Sequence, residues 1–122
     1  MLKLVYLVNI FAAGFIGFIS ILNAELASIV VYQNAFAPSP VMQLIGSFWI
    51  AIATISFIGV IYPLKFSPIL IFQILYQLTW LFITMLFLKN EIPIALSIAF
   101  IIWAFLIFLA IPWKYLFQEK NI

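Results

Sequence analysis

Apolar residues fill four stretches of this chain almost without a break, and polar or helix-breaking residues gather between them. The stretches run over about residues 4–24, 41–62, 68–88 and 93–111. Each holds roughly 20 residues, which at a rise of about 1.5 Å per residue crosses a hydrocarbon core about 30 Å thick. The punctuation agrees with that division. Pro63 ends the second segment, and "SP" opens the third, where Ser67 is placed to cap a helix and Pro68 takes the first helical position, which needs no N–H. "LKNE" precedes Pro93, and Pro112 ends the fourth segment. The pattern predicts an all-α integral membrane protein, an antiparallel four-transmembrane-helix bundle in one domain spanning residues 1–122.

The joints after the second and third segments are turn-sized, which makes helices two, three and four consecutive antiparallel neighbours. The first joint differs. Residues 25–40, "ELASIVVYQNAFAPSP", are apolar for a loop and read as an interfacial connection, either an extension of helix one or a short surface helix before Pro38 and Pro40. The "MLK" start ahead of an apolar run also fits a secretory signal, but the run exceeds the usual 7–15 residues and Leu22-Asn23-Ala24 is a poor cleavage site, so the segment is expected to be retained.

Lysine placement sets the expected orientation. With four spans both termini share a side, which then holds Lys3, Lys65, Lys114 and Lys120 against Lys89 opposite. Cytoplasmic termini follow from the positive-inside rule, and Trp113 and Tyr115 beside Lys114 read as an interfacial aromatic anchor. The expected location is a bacterial inner membrane.

Composition narrows the chemistry. Hydrophobic residues make up 69% of the chain and charged residues 7%, against about a quarter charged in a soluble domain. Cysteine, histidine, arginine and aspartate are absent, which removes the usual ligands and bases of zinc sites, haem sites and hydrolytic triads. No metal or other cofactor is expected. The five lysines are scattered singly, and without a basic stripe no nucleic-acid partner is expected.

Polar residues inside the spans are then the informative ones. In the third segment Gln73, Gln77, Trp80 and Thr84 follow one another at four, three and four residues, with Tyr76 on the flank. That spacing is one helical face. Amides in hydrocarbon are costly unless paired, so this face is expected to point into the bundle. Two roles fit it: hydrogen bonding to neighbouring helices, or lining a small polar cavity that binds a lipid headgroup, a quinone or another amphipathic solute. On helix one, Asn9, Ala13, Gly17, Ser20 and Ala24 recur at four, four, three and four residues and predict a close-packing seam. Ser47, Ala51 and Thr54 with nearby Gly46 and Gly59 are the matching set on helix two, and Trp80 and Trp103 are expected to pack on these seams. Glu25 is the carboxylate nearest a span. It falls at the end of helix one, where water reaches it, and reads as an interfacial residue ahead of a functional one. Lys89 and Glu91 read as weakly paired turn residues.

The pattern "FQILYQLTW" followed by "AIPWKYLF", on four spans in a chain of this length, resembles small bacterial membrane proteins of the DoxX-like kind. That resemblance implies a four-helix bundle in the inner membrane, in a group with members linked to redox or respiratory assemblies, and it carries no catalytic residues across. The chain is also similar in size and span count to small multidrug-resistance transporters, which work as dimers. Their mechanism needs a carboxylate in the middle of the first helix, where this chain has Ala12 to Gly17; Glu25 comes about three turns later. A lipid- or quinone-modifying enzyme is the third class, with Glu25, Tyr76, hydroxyls and lysines as its means and no nucleophile paired with a base. The expectation is a non-catalytic accessory subunit or hydrophobic-ligand binder. Its partners are the lipid bilayer and a lipid or quinone, in a homodimer or larger membrane complex.

Overall fold

A computed structural model describes residues 1–87 and 93–118, which form helices and turns with no strand among the described residues. Helix α1 spans Leu2–Leu22, α2 Ala24–Val30, α3 Pro40–Ile61, α4 Pro68–Phe87, α5 Ile94–Ala110 and α6 Trp113–Leu116. The expected turn pair Lys89 and Glu91, the end of the third segment at residue 88, and Glu119 and Lys120 lie outside the described residues.

Local chemistry sets the boundaries. Asn23 breaks the first helical run and starts the next, its side chain accepting a hydrogen bond from the Leu26 N–H at 3.1 Å. Ser39 does the same for α3, accepting from the Met42 N–H at 3.3 Å, with Pro40 in the first turn. Ser67 departs from expectation. It is buried, and its hydroxyl donates back to the Leu64 carbonyl at 2.7 Å instead of capping α4. The first turn of α4 is secured by backbone bonds, Ile69 N–H to Phe66 and Leu70 N–H to Ser67.

Helices α1, α3 and α4 are long and apolar enough to cross a membrane, and α5 is an apolar helix of 17 residues. At 1.5 Å per residue α5 is about 25 Å long, a little under the hydrocarbon thickness. The outward faces carry large apolar side chains, among them Phe11, Phe15 and Phe18 of α1 and Ile98, Ile101 and Phe105 of α5. In water such a surface would be untenable. The fold is that of a helical membrane protein.

The helices pack as two pairs. Helices α1 and α3 run antiparallel in close backbone contact, and α4 packs on α5. The α1–α3 approach depends on glycine. A Cβ on Gly17 would lie 2.7 Å from Ile50 Cγ1 and 2.8 Å from the Gly46 carbonyl oxygen, while one on Gly46 would lie 2.9 Å from the Gly17 oxygen and from Ser20 Cβ. Neither position has room for a side chain. Near the far end, Gly59 opens space for the ring of Tyr6, which is fully buried and donates its hydroxyl to the Pro63 carbonyl at 2.7 Å.

On helix one, Asn9, Ala13, Gly17 and Ser20 are all buried, and Ala24 falls beyond the break in α2, half-buried. The set foreseen on helix two divides, for Gly46 and Gly59 are buried and its other three members are not. Ser47, Ala51 and Thr54 are exposed, the two hydroxyls returned to the carbonyls of Gln43 and Ile50. Met42, Trp49, Ile52 and Ser56 are buried beside the two glycines. Both sides of α3 carry small residues, so spacing alone did not choose between them. A second correction concerns neighbours. Helices α3 and α4, joined by the turn at residues 62–67, approach each other far less closely than α1 approaches α3, and the space left between them becomes a cavity.

Candidate functional site

The polar stripe on α4 divides into two arcs. Gln73 is 1% exposed and exchanges two hydrogen bonds with Asn9 of α1: Asn9 Nδ2 donates to Gln73 Oε1 at 2.7 Å, and Gln73 Nε2 donates to Asn9 Oδ1 at 3.0 Å. Trp103 of α5 adds its indole N–H to the same Asn9 oxygen at 2.9 Å. Three helices thus meet at one amide pair. Gln77, one turn on, is equally buried, and its Oε1 has no partner among the described residues. Thr84 is buried with its hydroxyl on the Trp80 carbonyl at 2.7 Å, an ordinary bond within its own helix.

Tyr76 and Trp80 face elsewhere. Tyr76 stands edge-on to Trp49 of α3, ring centroids 5.7 Å apart, and Trp80 meets Phe36 edge-on at 5.4 Å. Both rings line a cavity of about 680 Å³. Helix α3 contributes Ile45, Phe48, Trp49 and Ile52. Helix α4 supplies Phe72, Leu75, Thr79 and Ile83 beside Tyr76 and Trp80, and Leu96 and Phe100 of α5 close the back. Exposed Phe48, Phe72 and Leu75 leave it open sideways. Of the five residues expected to line a polar cavity, Tyr76 and Trp80 line this one; Gln73, Gln77 and Thr84 do not, and the cavity is apolar. One residue of rotation on a helix is about 100°, enough to turn Gln77 into the bundle while Tyr76 looks into the cavity.

Trp103 reaches Asn9 on helix one, and Trp80 packs against the cluster of Ala13, Trp49, Ile52 and Phe100 while also meeting Phe36. The missing wall came from the connection 25–40, which folds back onto the bundle. Tyr32 is 2% exposed and its hydroxyl lies 3.0 Å from that of Ser20. Burial pushes the Tyr32 hydroxyl above its ordinary value of 10.0, and the Ser20 bond works in the opposite direction. The Ser28 hydroxyl donates to the Phe36 carbonyl, and Gln33 Oε1 accepts the backbone N–H of Ala95 at 2.8 Å, satisfying one of the free donors at the start of α5. Gln33 and Asn34 both hold positive φ, 50° and 61°, as the tight reversal requires. This strap places Tyr32 and Phe36 in the cavity wall. Under it lies a second cavity of about 460 Å³, which adds Ala35, Ala37, Ser39, Val41 and Met42 and shares Tyr32, Phe36, Ile45 and Trp80 with the first. The legible signal was the apolar character of the connection, with aromatics at Tyr32 and Phe36; their contacts were not legible.

Glu25 is exposed in the first turn of α2, where a carboxylate complements the helix dipole. No three His, Cys, Asp or Glu converge among the described residues. Fold and site together define an all-helical membrane protein with an aromatic cavity between two helix pairs. Compared with protein-family models, with curated proteins and with solved structures, the chain finds no match.

Proposed function

We propose that this protein is a non-catalytic, four-span protein of a bacterial inner membrane that binds a hydrophobic ligand in the cavity between α3 and α4. The supporting observation is the cavity itself: about 680 Å³, walled by eight aromatic side chains and open toward the lipid-facing surface. That volume falls within the range of ligand sites, about 300–1,000 Å³. Among the described residues the lining holds no acid–base pair and no nucleophile beside a base, which favours binding over catalysis. The fourth span is α5, and the resemblance to DoxX-like proteins fits such a bundle, as an accessory subunit in a larger assembly or as a homodimer.

Mild-detergent purification followed by extraction tests the reading. Protein equilibrated with a membrane quinone or a bilayer lipid should retain it in near-stoichiometric amount, and Ile52→Trp, which fills the cavity floor, should cut retention about tenfold or more. Equal retention by both proteins, normalised to folded material, overturns the reading.

A further inference from the structure

The two helix pairs are held together unequally along their length. At one end Val5 and Tyr6 of α1 share an apolar core with Leu70 and Ile74 of α4 and Ile107 of α5, beside the node of Asn9, Gln73 and Trp103. Towards the other end the two cavities lie between the pairs, and the strap, residues 31–39, crosses from one pair to the other. The strap is bound to the α1–α3 pair by chain continuity with α2 and α3, by the contact of the Tyr32 and Ser20 hydroxyls, and by the Asn34 N–H, which donates to the Ser28 carbonyl at 2.7 Å. Towards α4 and α5 its polar tie among the described residues is Gln33 Oε1, which accepts from the Ala95 N–H, and its ring contact is Phe36 on Trp80.

Tyr32, Phe36, Ile45 and Trp80 line both cavities and so form the partition between them, closed by the edge contact of Phe36 with Trp80, ring centroids 5.4 Å apart. Phe36 rides on the strap three residues after Gln33. Gln33 and Asn34 both hold left-handed backbone, φ 50° and 61°, which an L side chain adopts only where its surroundings keep it there. For Gln33 those surroundings include the bond to Ala95. Both partners of that bond are exposed, so water replaces either one when they part, and the bond breaks and reforms at little net cost. We propose that the strap is a gate between the two cavities, hinged on the α1–α3 pair and latched to α5 by Gln33. The gate rests on the reading of the larger cavity as a ligand site and names how that site is regulated. With the latch held, Phe36 stays on Trp80, and the larger cavity faces the lipid side past Phe48, Phe72 and Leu75. With the latch released, the strap swings on its α2 and α3 ends, Phe36 leaves Trp80, and the smaller cavity joins the larger. A hydrophobic ligand taken up from the bilayer then reaches the end of the bundle where α3 begins, beside Ser39 and Val41.

Cysteine is absent from the chain, so one introduced thiol reports on the gate. Thr79→Cys places it on the wall of the larger cavity, and a charged, membrane-impermeant maleimide is applied to the purified full chain in lipid nanodiscs. Gln33→Glu keeps an acceptor oxygen for Ala95, whereas Gln33→Asn tolerates the left-handed backbone but is one methylene too short to reach. The Glu variant should be labelled as slowly as the chain with native Gln33, and the Asn variant roughly fivefold faster, the shift expected from losing one hydrogen bond. A ubiquinone with a decyl tail, loaded first, should return the Asn variant to the rate of the Glu variant. Equal rates for the Glu and Asn variants overturn the latch. Ala104→Cys, buried on α5, should stay unlabelled in all three proteins; its labelling in step with Thr79→Cys would assign the change to general loosening and overturn the gate as well. A faster Asn variant that the quinone leaves unprotected overturns the ligand site on which the gate rests. Equal rates, each slowed by the quinone, keep that site and remove the gate.

Discussion

Asn9 of α1 and Gln73 of α4 face each other as paired carboxamides, each donating to the other, at 2.7 and 3.0 Å, and both are 1% exposed. This reciprocal pair ties the α1–α3 unit to the α4–α5 unit at the level where Trp103 also bonds Asn9. Gln73→Leu should strip Asn9 of its amide partner and cost about 1–3 kcal/mol, the penalty of an orphaned buried polar group. Replacing both, as Asn9→Leu with Gln73→Met, should recover part of that loss. Unfolding in mixed micelles measures the cycle, and the pairwise coupling should be about 0.6–1.7 kcal/mol.

Gln77 should behave in the opposite way. Its Oε1 is buried without a partner among the described residues, so Gln77→Leu removes an uncompensated carbonyl from an apolar interior. Stability should stay unchanged or rise by about 1 kcal/mol. The contrast between Gln73→Leu and Gln77→Leu in the same unfolding assay checks that only the first amide joins helices.

At the α1–α3 crossing, Gly17→Ala should cost about 1–3 kcal/mol, because its Cβ would press on Ile50 and on the Gly46 carbonyl oxygen at under 3 Å. Phe15→Leu, on the outward face with Phe15 56% exposed, should stay within about 0.5 kcal/mol. Thermal unfolding of the two variants side by side makes the comparison.

Topology is testable without the ligand. Lys3, Lys65, Lys114 and Lys120 fall on one side of a four-span arrangement and Lys89 on the other. Reporter fusions at the C-terminus and within residues 33–39 should give opposite readings, the C-terminus cytoplasmic. A periplasmic C-terminus would remove either the fourth span or the orientation.

The sequence by itself determined where the helices begin and end, because those signals are local. Pro40, Pro63, Pro68, Pro93 and Pro112 act on backbone within a few residues, and α1, α3 and α5 fall within two residues of the ranges read from the chain, whereas the break at Asn23 lies inside the first of those ranges. It also determined the buried face of α1, since Asn9, Ala13, Gly17 and Ser20 stand out among bulky neighbours. Tertiary structure alone decided the inner face of α3, where small residues lie all round the helix and the Gly46–Gly17 contact selects one side. Only the fold could divide the α4 stripe, for a helix face touches more than one neighbour: Gln73 met Asn9, Gln77 Oε1 met no partner among the described residues, and Tyr76 and Trp80 turned to the cavity. That cavity is a gap between helices and belongs to no segment of sequence. Its roof depends on bonds such as Gln33 to Ala95, 62 positions apart, and contacts at that separation are fixed by how the helices pack, not by the residues beside them.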